Sequence, residues 1–380
     1  MIYNEFQNEK ISAFAMGCMR LPVIEGDDKA IDEKAAEEMV DYALEHGVNY
    51  FDTAWGYHGG NSERVIGKAL AKHPRESFNL TSKFPGYDLA NMGKVEEIFQ
   101  EQLRKCQVDY FDFYLVHNVC EMNIEQYLDD EKYGTLSYLL KQKKNGRIRH
   151  LGFSAHGNIN TMRRFLEAYG THMEFCQLQL NYFDYTFQDC KGKMALVQEW
   201  GLPIWVMEPL RGGSLCKLSP EEQEKLAAIH PDWNAVEWAF RWLQAQPEVT
   251  VVLSGSSSLE QMAENIALFQ QKKEFGEKES AALQEMVDAR VQGNIQPCTK
   301  CHYCTPHCPQ EIDIPWMLEL FNEQKLYGAG FLVSMALSAV EKGKKPGDCI
   351  ACGSCAAVCP QQIDIPGALA EFAKSLDSGQ

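Results

Sequence analysis

Residues 48–73 read VNYFDTAWGYHGGNSERVIGKALAKH. The first seven residues, VNYFDTA, are a short β-rich run that ends in an acid, Asp52. An aromatic, glycine-containing loop follows. NSERVIGKALAKH (61–73) then places Val65, Ile66, Ala69 and Leu70 at helical period, one apolar face to lay back on a strand. The same unit recurs on both sides. Strand candidates are SAFAMGC (12–18), VNYFDTA (48–54), FNLTSKF (78–84), DFYLVH (112–117), RIRHLGFS (147–154), EFCQLQLNY (174–182), LPIWVMEP (202–209) and EVTVVLSG (248–255). Helical patterns such as DEKAAEEMVDYALEHG (32–47) lie between them. Eight strands alternating with helices over about 290 residues have the count and length of an α/β fold, the (β/α)8 TIM barrel. A doubly wound sheet is the alternative, but its G-x-G-x-x-G fingerprint is absent.

The chain of 380 residues has room for a second, smaller domain. Its 45% apolar and 23% charged content is that of a globular protein. A net charge of −17 repels phosphate backbones and anionic lipid, which argues against nucleic acid and membrane partners. MIYNEFQNEK lacks the regions of a signal peptide, and AGFLVSMALSAV (329–340) is too short to span a bilayer and reads as a buried helix. Eight of the fourteen cysteines cluster. Cys18, Cys106, Cys120, Cys176, Cys190 and Cys216 are scattered through apolar segments, the usage of buried free thiols in a reducing cytoplasm.

The character of the chain changes after residue 290. CTKCHYCTPHCPQEIDIPWMLELF is repeated as CIACGSCAAVCPQQIDIPGALAEF, and every matched cysteine lies 51 positions from its counterpart. Each copy reads as a cysteine loop followed by a short helix, with Pro315 or Pro366 in its first turn. The boundary is placed near Gly293, giving domains 1–292 and 293–380, the second small and mainly helical. Each copy has the spacing C-x2-C-x2-C-x3-C-P, which suits a cubane cluster. Zinc ordinarily takes two pairs from separated knuckles. His302 and His307 lie in the first loop, but Gly353 and Val358 replace them in the second, so both read as loop residues. The run resembles that of two-cluster ferredoxins, in which the fourth cysteine serves the other cluster. That resemblance implies two [4Fe–4S] clusters, one held by Cys298, Cys301, Cys304 and Cys359, the other by Cys349, Cys352, Cys355 and Cys308. The 40-residue gap between motifs is more like helical dicluster domains than a minimal ferredoxin.

In a TIM barrel, chemistry sits at the C-terminal ends of the strands. Those ends carry Asp52, Lys83, His117, Ser154, Gln177 to Asn181, Glu208 and Ser254, with Tyr57 five residues after Asp52. An acid, a lysine and a histidine at successive strand ends exceed what packing selects, although a structural ion pair and a strand cap would be the plain alternative. Together they suit carbonyl reduction. Tyr57 would be the proton donor, with its pKa lowered by the Lys83 ammonium; Asp52 would orient Lys83; His117 would donate a hydrogen bond to the carbonyl oxygen.

NYFDTAWGYHGGNSERVIGKAL (49–70), TSKF (81–84) and YLVHN (114–118) resemble the aldo/keto reductase superfamily. Asp52, Tyr57, Lys83 and His117 match its catalytic tetrad. The likeness covers about residues 10–270, and with the tail the chain resembles the bacterial branch that fuses such a reductase to a ferredoxin-like domain. This implies NAD(P)H bound across the strand ends without a Rossmann unit, and a small-molecule carbonyl or alcohol substrate. Matching cofactor positions are Ser154, Gln177, Asn181, Pro209, Leu210, Arg211 and Gly212, then Ser254, Gly255, Ser256, Gln261 and Asn265. Trp55 and Asn118 fall where the family lines its substrate pocket. Physical reasons support part of this. SSSLEQ (256–261) is a capping-box pattern, Ser257 with Glu260 or Ser258 with Gln261, and the helix it opens presents N–H groups to a phosphate. Arg211 with Gly212 and Gly213 can approach a pyrophosphate or be a plain turn. Three positions depart from the family. Met207 stands where many members stack an aromatic ring on nicotinamide, and Gly255 and Gln261 stand where many place cations for a 2′-phosphate, so NAD and NADP both remain open.

Hydride carries two electrons and a [4Fe–4S] centre passes one, so coupling the halves needs a converter such as flavin. One expectation is a flavin sharing the barrel mouth, motivated by Met207. Another is an ordinary NAD(P)H reductase whose tail serves a separate redox partner protein. A third is an electron carrier with an idle barrel, against which the intact tetrad argues.

Overall fold

The structure, a computed structural model, describes residues 1–292, 295–298, 302, 304–328, 330–359 and 361–377. The expected boundary at Gly293 and the expected ligand Cys301 lie outside the described residues. The chain divides into two compact units, Met1–Ala282 and Leu283–Gln380.

The first unit is a closed barrel of eight parallel strands. After an N-terminal hairpin of β1 (Tyr3–Phe6) and β2 (Glu9–Ser12), the barrel strands are β3 (Phe14–Gly17), β4 (Tyr50–Asp52), β5 (Asn79–Phe84), β6 (Phe111–Val119), β7 (Ile148–Ala155), β8 (Cys176–Gln179), β9 (Ile204–Met207) and β10 (Val249–Gly255). They pair in sequence order, and β10 closes on β3. Each coincides with a sequence-expected strand, trimmed or extended by a few residues. Gly17 lies opposite Gly255 at that closure, and a Cβ on Gly17 would stand 3.3 Å from the Ser254 and Gly255 backbone. The lack of a side chain there lets the barrel close.

Branched and aromatic side chains fill the interior. Ala15, Tyr50, Phe113, Leu115, Phe175, Trp205, Val251 and Leu253 form one buried cluster, joined by Phe6 and Ile11 of the hairpin. Phe6 sets its ring edge-on to Trp205 at 5.0 Å, and Phe175 packs on Trp205 at 4.7 Å. The hairpin thus packs into the barrel core, leaving chemistry to the opposite, C-terminal ends of the strands. The outer helices follow the apolar stripe. Glu33–Glu45 buries Ala36, Met39, Val40 and Ala43, with Asp32 as N-cap, and Ser62–Leu70 buries Val65, Ile66, Ala69 and Leu70. Of the six scattered cysteines five are buried, but Cys216 is exposed, because it ends the short turn Arg211–Cys216 rather than lying inside a helix or strand. No helix among the described residues is long and apolar enough to cross a membrane.

The second unit is helical. Ile314–Tyr327 and Ile365–Asp377 are the two helices opened by I-D-I-P, and Phe331–Ser338 is the short apolar helix between the motifs. Asp313 caps the first through Trp316 N–H, and Asp364, its counterpart, accepts from Gly367 N–H at 3.1 Å. The sequence repeat is also a packing repeat. Ile312 and Ile363, Ile314 and Ile365, Leu318 and Leu369, and Phe321 and Phe372 are all buried in one core, with the two phenylalanine rings stacked at 5.3 Å. Gln324 donates to Ser375, again 51 residues on, at 2.9 Å.

Candidate active site and cysteine unit

At the barrel mouth, Asp52 ends β4, Lys83 is the penultimate residue of β5 and His117 lies two residues from the end of β6. Lys83 is fully buried. Its ammonium donates to Asp52 Oδ1 at 2.6 Å and to the Thr53 carbonyl at 2.8 Å, and its third direction reaches the Tyr57 hydroxyl at 3.5 Å. Tyr57 sits on a tight loop after β4, where His58 (φ 53°) and Gly59 (φ 62°) turn left-handed. His58 holds that turn. Its Nε2 accepts from Leu21 N–H at 3.1 Å, so Nδ1 carries the proton donated to the Asp28 carbonyl at 2.7 Å. The His117 ring lies edge-on to Tyr57 at 6.4 Å, and Tyr127 donates to the His117 carbonyl at 2.8 Å. His117 Nδ1 and Asp52 Oδ2 are buried without a hydrogen-bond partner among the described residues.

Burial sets the protonation states. It pushes Tyr57 well above the ordinary tyrosine value, and the Asp52 carboxylate, the Cys18 thiol and Glu208 add to the rise. The expected lowering of Tyr57 by Lys83 is therefore corrected: Lys83 gives its charge to Asp52 at 2.6 Å and stands 3.5 Å from the phenol. Burial also raises Asp52 against the opposing pull of Lys83. It drives His117 well down, helped by Lys83, so the imidazole is neutral. The site holds a protonated phenol, a neutral imidazole and a buried ion pair.

Two more residues belong to this mouth. Tyr87, in the P-G-Y-D turn (85–88) after β5, sets its ring edge-on to His117 at 5.2 Å. Its hydroxyl lies so close to Gly56 that a Cβ there would stand 2.2 Å away, and burial pushes its pKa up to about 12. Cys18 follows β3, with its N–H on the Asp52 carbonyl at 2.8 Å. Trp55 is half-buried, and Asn118 is buried with a left-handed backbone (φ 56°).

The remaining positions line neighbouring strand ends. Ser154 Oγ accepts from Asn118 N–H at 2.8 Å, and Ser154 is the register partner of buried Gln177. Asn181 organises the loop after β8, donating to Asp184 at 2.8 Å and to the Glu208 carbonyl at 3.1 Å. Arg211 is buried, and its Nε donates to Asp184 at 2.9 and 3.0 Å, so an ion pair ties the loop of Pro209, Leu210, Arg211 and Gly212 inward. The glycines beside it do turn left-handed, Gly212 at φ 63° and Gly213 at φ 90°. Past Ser254 and Gly255, Ser256 Oγ accepts from Asn265 at 3.1 Å. Of the two capping patterns, Ser258 is the N-cap of the helix Leu259–Leu268, accepting from Gln261 N–H. Gln261 Oε1 reaches back one residue further, to Ser257 N–H at 2.9 Å.

Residues 14–288 match the aldo/keto reductase family. The chain belongs to that family. It is similar to the uncharacterized oxidoreductase YqkF of Bacillus subtilis, 24% identical over 285 residues, 67% of this chain and 86% of that protein. It is also similar to the NADH-specific methylglyoxal reductase of Escherichia coli, 24% identical over 289 residues, 65% of this chain and 85% of that protein. Among solved structures, an aldo-keto reductase of Klebsiella pneumoniae in complex with NADPH shares the fold with a TM-score of 0.60 at 20% identity, covering 76% of this chain and 96% of that one. This member of the aldo/keto reductase family carries a second module, for residues 297–363 match a 4Fe-4S dicluster domain.

In that module Cys304 and Cys355, counterparts in the repeat, are both buried in the shared core, and Cys298, Cys308, Cys349 and Cys359 pack against it. Cys352 is exposed. Asn322 pins the chain two residues before Cys298, accepting from Gln296 N–H at 2.6 Å and donating to its carbonyl at 3.0 Å. Among the described residues no three His, Cys, Asp or Glu side chains stand together as a metal-ion set, so the four-thiolate sets rest on spacing, repeat and the dicluster match. The described donors fit the group in kind: thiols, with Cys304 and Cys355 inside an apolar core and Cys298, Cys308, Cys349 and Cys359 against it.

Proposed function

We propose that this aldo/keto reductase reduces a small carbonyl compound with NAD(P)H, Tyr57 serving as general acid. The observation that carries the reading is the chain of contacts Asp52–Lys83–Tyr57, with 2.6 and 3.5 Å links in a buried mouth. A bound reduced nicotinamide supplies a hydride to the carbonyl carbon. As charge grows on the oxygen, Tyr57 transfers its phenolic proton there and the product leaves as the alcohol. Lys83 then offsets the charge left on the phenolate, which draws a proton back from solvent. Asp52 keeps Lys83 charged and aimed. Neutral His117 donates a hydrogen bond to the same oxygen. Because burial raises the phenol, it stays protonated until the reaction itself demands the proton, which suits the reductive direction.

Ser154, Gln177 and Asn181 would hold the nicotinamide end. The loop 209–212 and the N-terminus of the helix capped by Ser258 would take the phosphates. The names of the relatives, one NADH-specific and one NADPH-bound, support nicotinamide without choosing between its forms. In assays with 4-nitrobenzaldehyde, the protein should oxidise NADH or NADPH, and Lys83→Met should lose most of that rate. A purified protein inert with both coenzymes would end the reading.

The cysteine module stores single electrons when its two clusters are in place. Cys298, Cys301, Cys304 and Cys359 would hold one and Cys349, Cys352, Cys355 and Cys308 the other. It would exchange electrons with a redox partner protein in the cytoplasm. A second reading places flavin at the mouth. Met207 favours it, for it ends β9 opposite Gln179, half-buried, without the usual ring. Stoichiometric flavin released from an anaerobic preparation would establish that reading; its absence after reconstitution would remove it.

A further inference from the structure

Behind the tetrad lies a buried carboxylate that the reaction does not use. Glu63 is on the second residue of the helix Ser62–Leu70, fully buried. Oε1 accepts from Ser82 Oγ at 2.6 Å and from Gln102 Nε2 at 2.8 Å. That same Gln102 amide lies 2.9 Å from the Lys83 carbonyl, while its oxygen accepts from the buried Tyr114 hydroxyl. Oε2 faces Lys105 at 3.2 Å. An isolated buried carboxylate is costly, so this one is fixed by every partner it has.

Lys105 spends its remaining reach on the loop that carries Tyr57. Its ammonium donates to the Gly60 carbonyl at 3.2 Å and sits 4.0 Å above the Trp55 ring. A cation held this close to an indole face is attracted by the ring quadrupole. The helices Ser62–Leu70 and Val95–Cys106 must touch for the contact to exist, and Gly67 permits it. A Cβ there would stand 2.5 Å from the Cys106 Cα and carbonyl carbon. Gly67 is one turn beyond Glu63, and Cys106 is the neighbour of Lys105, so the close approach and the ion pair are one feature.

We propose that Glu63 and Lys105 form a positioning clamp: Glu63, anchored to the strand of Lys83, holds Lys105 over Trp55 and against Gly60, fixing the substrate-side indole at the mouth. The clamp rests on the carbonyl-reductase reading for its kinetic consequence, but its effect on Trp55 is independent of any activity. Neither residue touches the reacting atoms.

The test uses the full chain labelled with 5-fluorotryptophan, which carries seven tryptophans. The Trp55 fluorine signal is assigned by its loss in Trp55→Phe. In Lys105→Met that signal should shift and broaden, and KM for 4-nitrobenzaldehyde should rise about ten-fold while kcat changes by no more than about two-fold. Lys105→Arg, which keeps the cation, should restore both. If Lys105→Met fails to fold because Glu63 is left uncompensated, the double variant Glu63→Gln/Lys105→Met removes both charges and should show the same Trp55 change. Gly67→Ala, which pushes the helices apart, should move the signal in the same direction. An unmoved Trp55 signal in the folded Lys105→Met or double variant overturns the clamp. A wild-type protein that reduces no carbonyl, yet shows the Trp55 shift on losing Lys105, sustains the clamp and defeats the reductase reading instead.

Discussion

The barrel mouth and the cysteine unit are built in opposite ways. At the mouth every chemical residue occurs once, and residues 31 apart, Asp52 and Lys83, meet only because β4 and β5 pair in register. In the cysteine unit the motif and the helix after it occur twice, and the two copies bury the same positions in one core, Cys304 with Cys355 and Phe321 with Phe372. The mouth therefore depends on the register of neighbouring barrel strands, whereas the unit depends on the packing of one copy of its repeat against the other. Damage to one should leave the other working.

Loss of a cluster ligand is the harshest way to break that contrast. Cys359→Ser should remove the cluster of the first cysteine run, by iron and sulfide analysis and electron paramagnetic resonance, with NAD(P)H oxidation by the barrel retained. Loss of the second run's cluster instead would overturn the crossed ligation. Next in size, Phe372→Ala removes a fully buried ring stacked on its counterpart and should cost about 3–5 kcal/mol. Unfolding in urea should show that loss in the cysteine unit and not in the barrel.

What could be read beforehand follows the same division. The eight barrel strands are legible because each is a short, largely apolar run set off from the next by a helical pattern. The repeat is legible because it is written twice. The hairpin β1–β2 is not, since its strands have four residues each and its turn, Gln7–Asn8, lacks the usual Asn-Gly signal. Asp52, Lys83 and His117 can be picked from strand ends and Tyr57 from the loop after Asp52, yet the direction of the Tyr57 shift cannot, because it depends on how the folded mouth buries the phenol. The Asp184–Arg211 and Glu63–Lys105 pairs are invisible for a related reason: nothing in the sequence says that loops or helices 27 and 42 residues apart will touch.

A pH series sharpens the account of the mouth. His117 is held neutral in the folded protein, its pKa far below the ordinary 6.5. Its contribution to stability is complete above about pH 6.5 and is lost as the pH falls below it, where the unfolded chain takes up the proton first. His117→Asn should flatten the fall of the barrel's urea midpoint on acidification; an unchanged slope would show that the imidazole is not buried neutral. The smallest effect belongs to the cap. Ser258→Ala should cost the barrel about 0.5–2 kcal/mol and raise KM for the nicotinamide coenzyme, leaving the iron content of the cysteine unit alone.

The most direct test of the central claim is the rate of carbonyl reduction by Tyr57→Phe. The variant keeps the ring that faces His117 and Lys83 and removes only the hydroxyl that carries the proton. With 4-nitrobenzaldehyde and NAD(P)H its kcat should fall by about 10²–10⁴-fold while coenzyme binding, followed by fluorescence, is unchanged. A variant that turns over at the wild-type rate would contradict the assignment of Tyr57 as the acid.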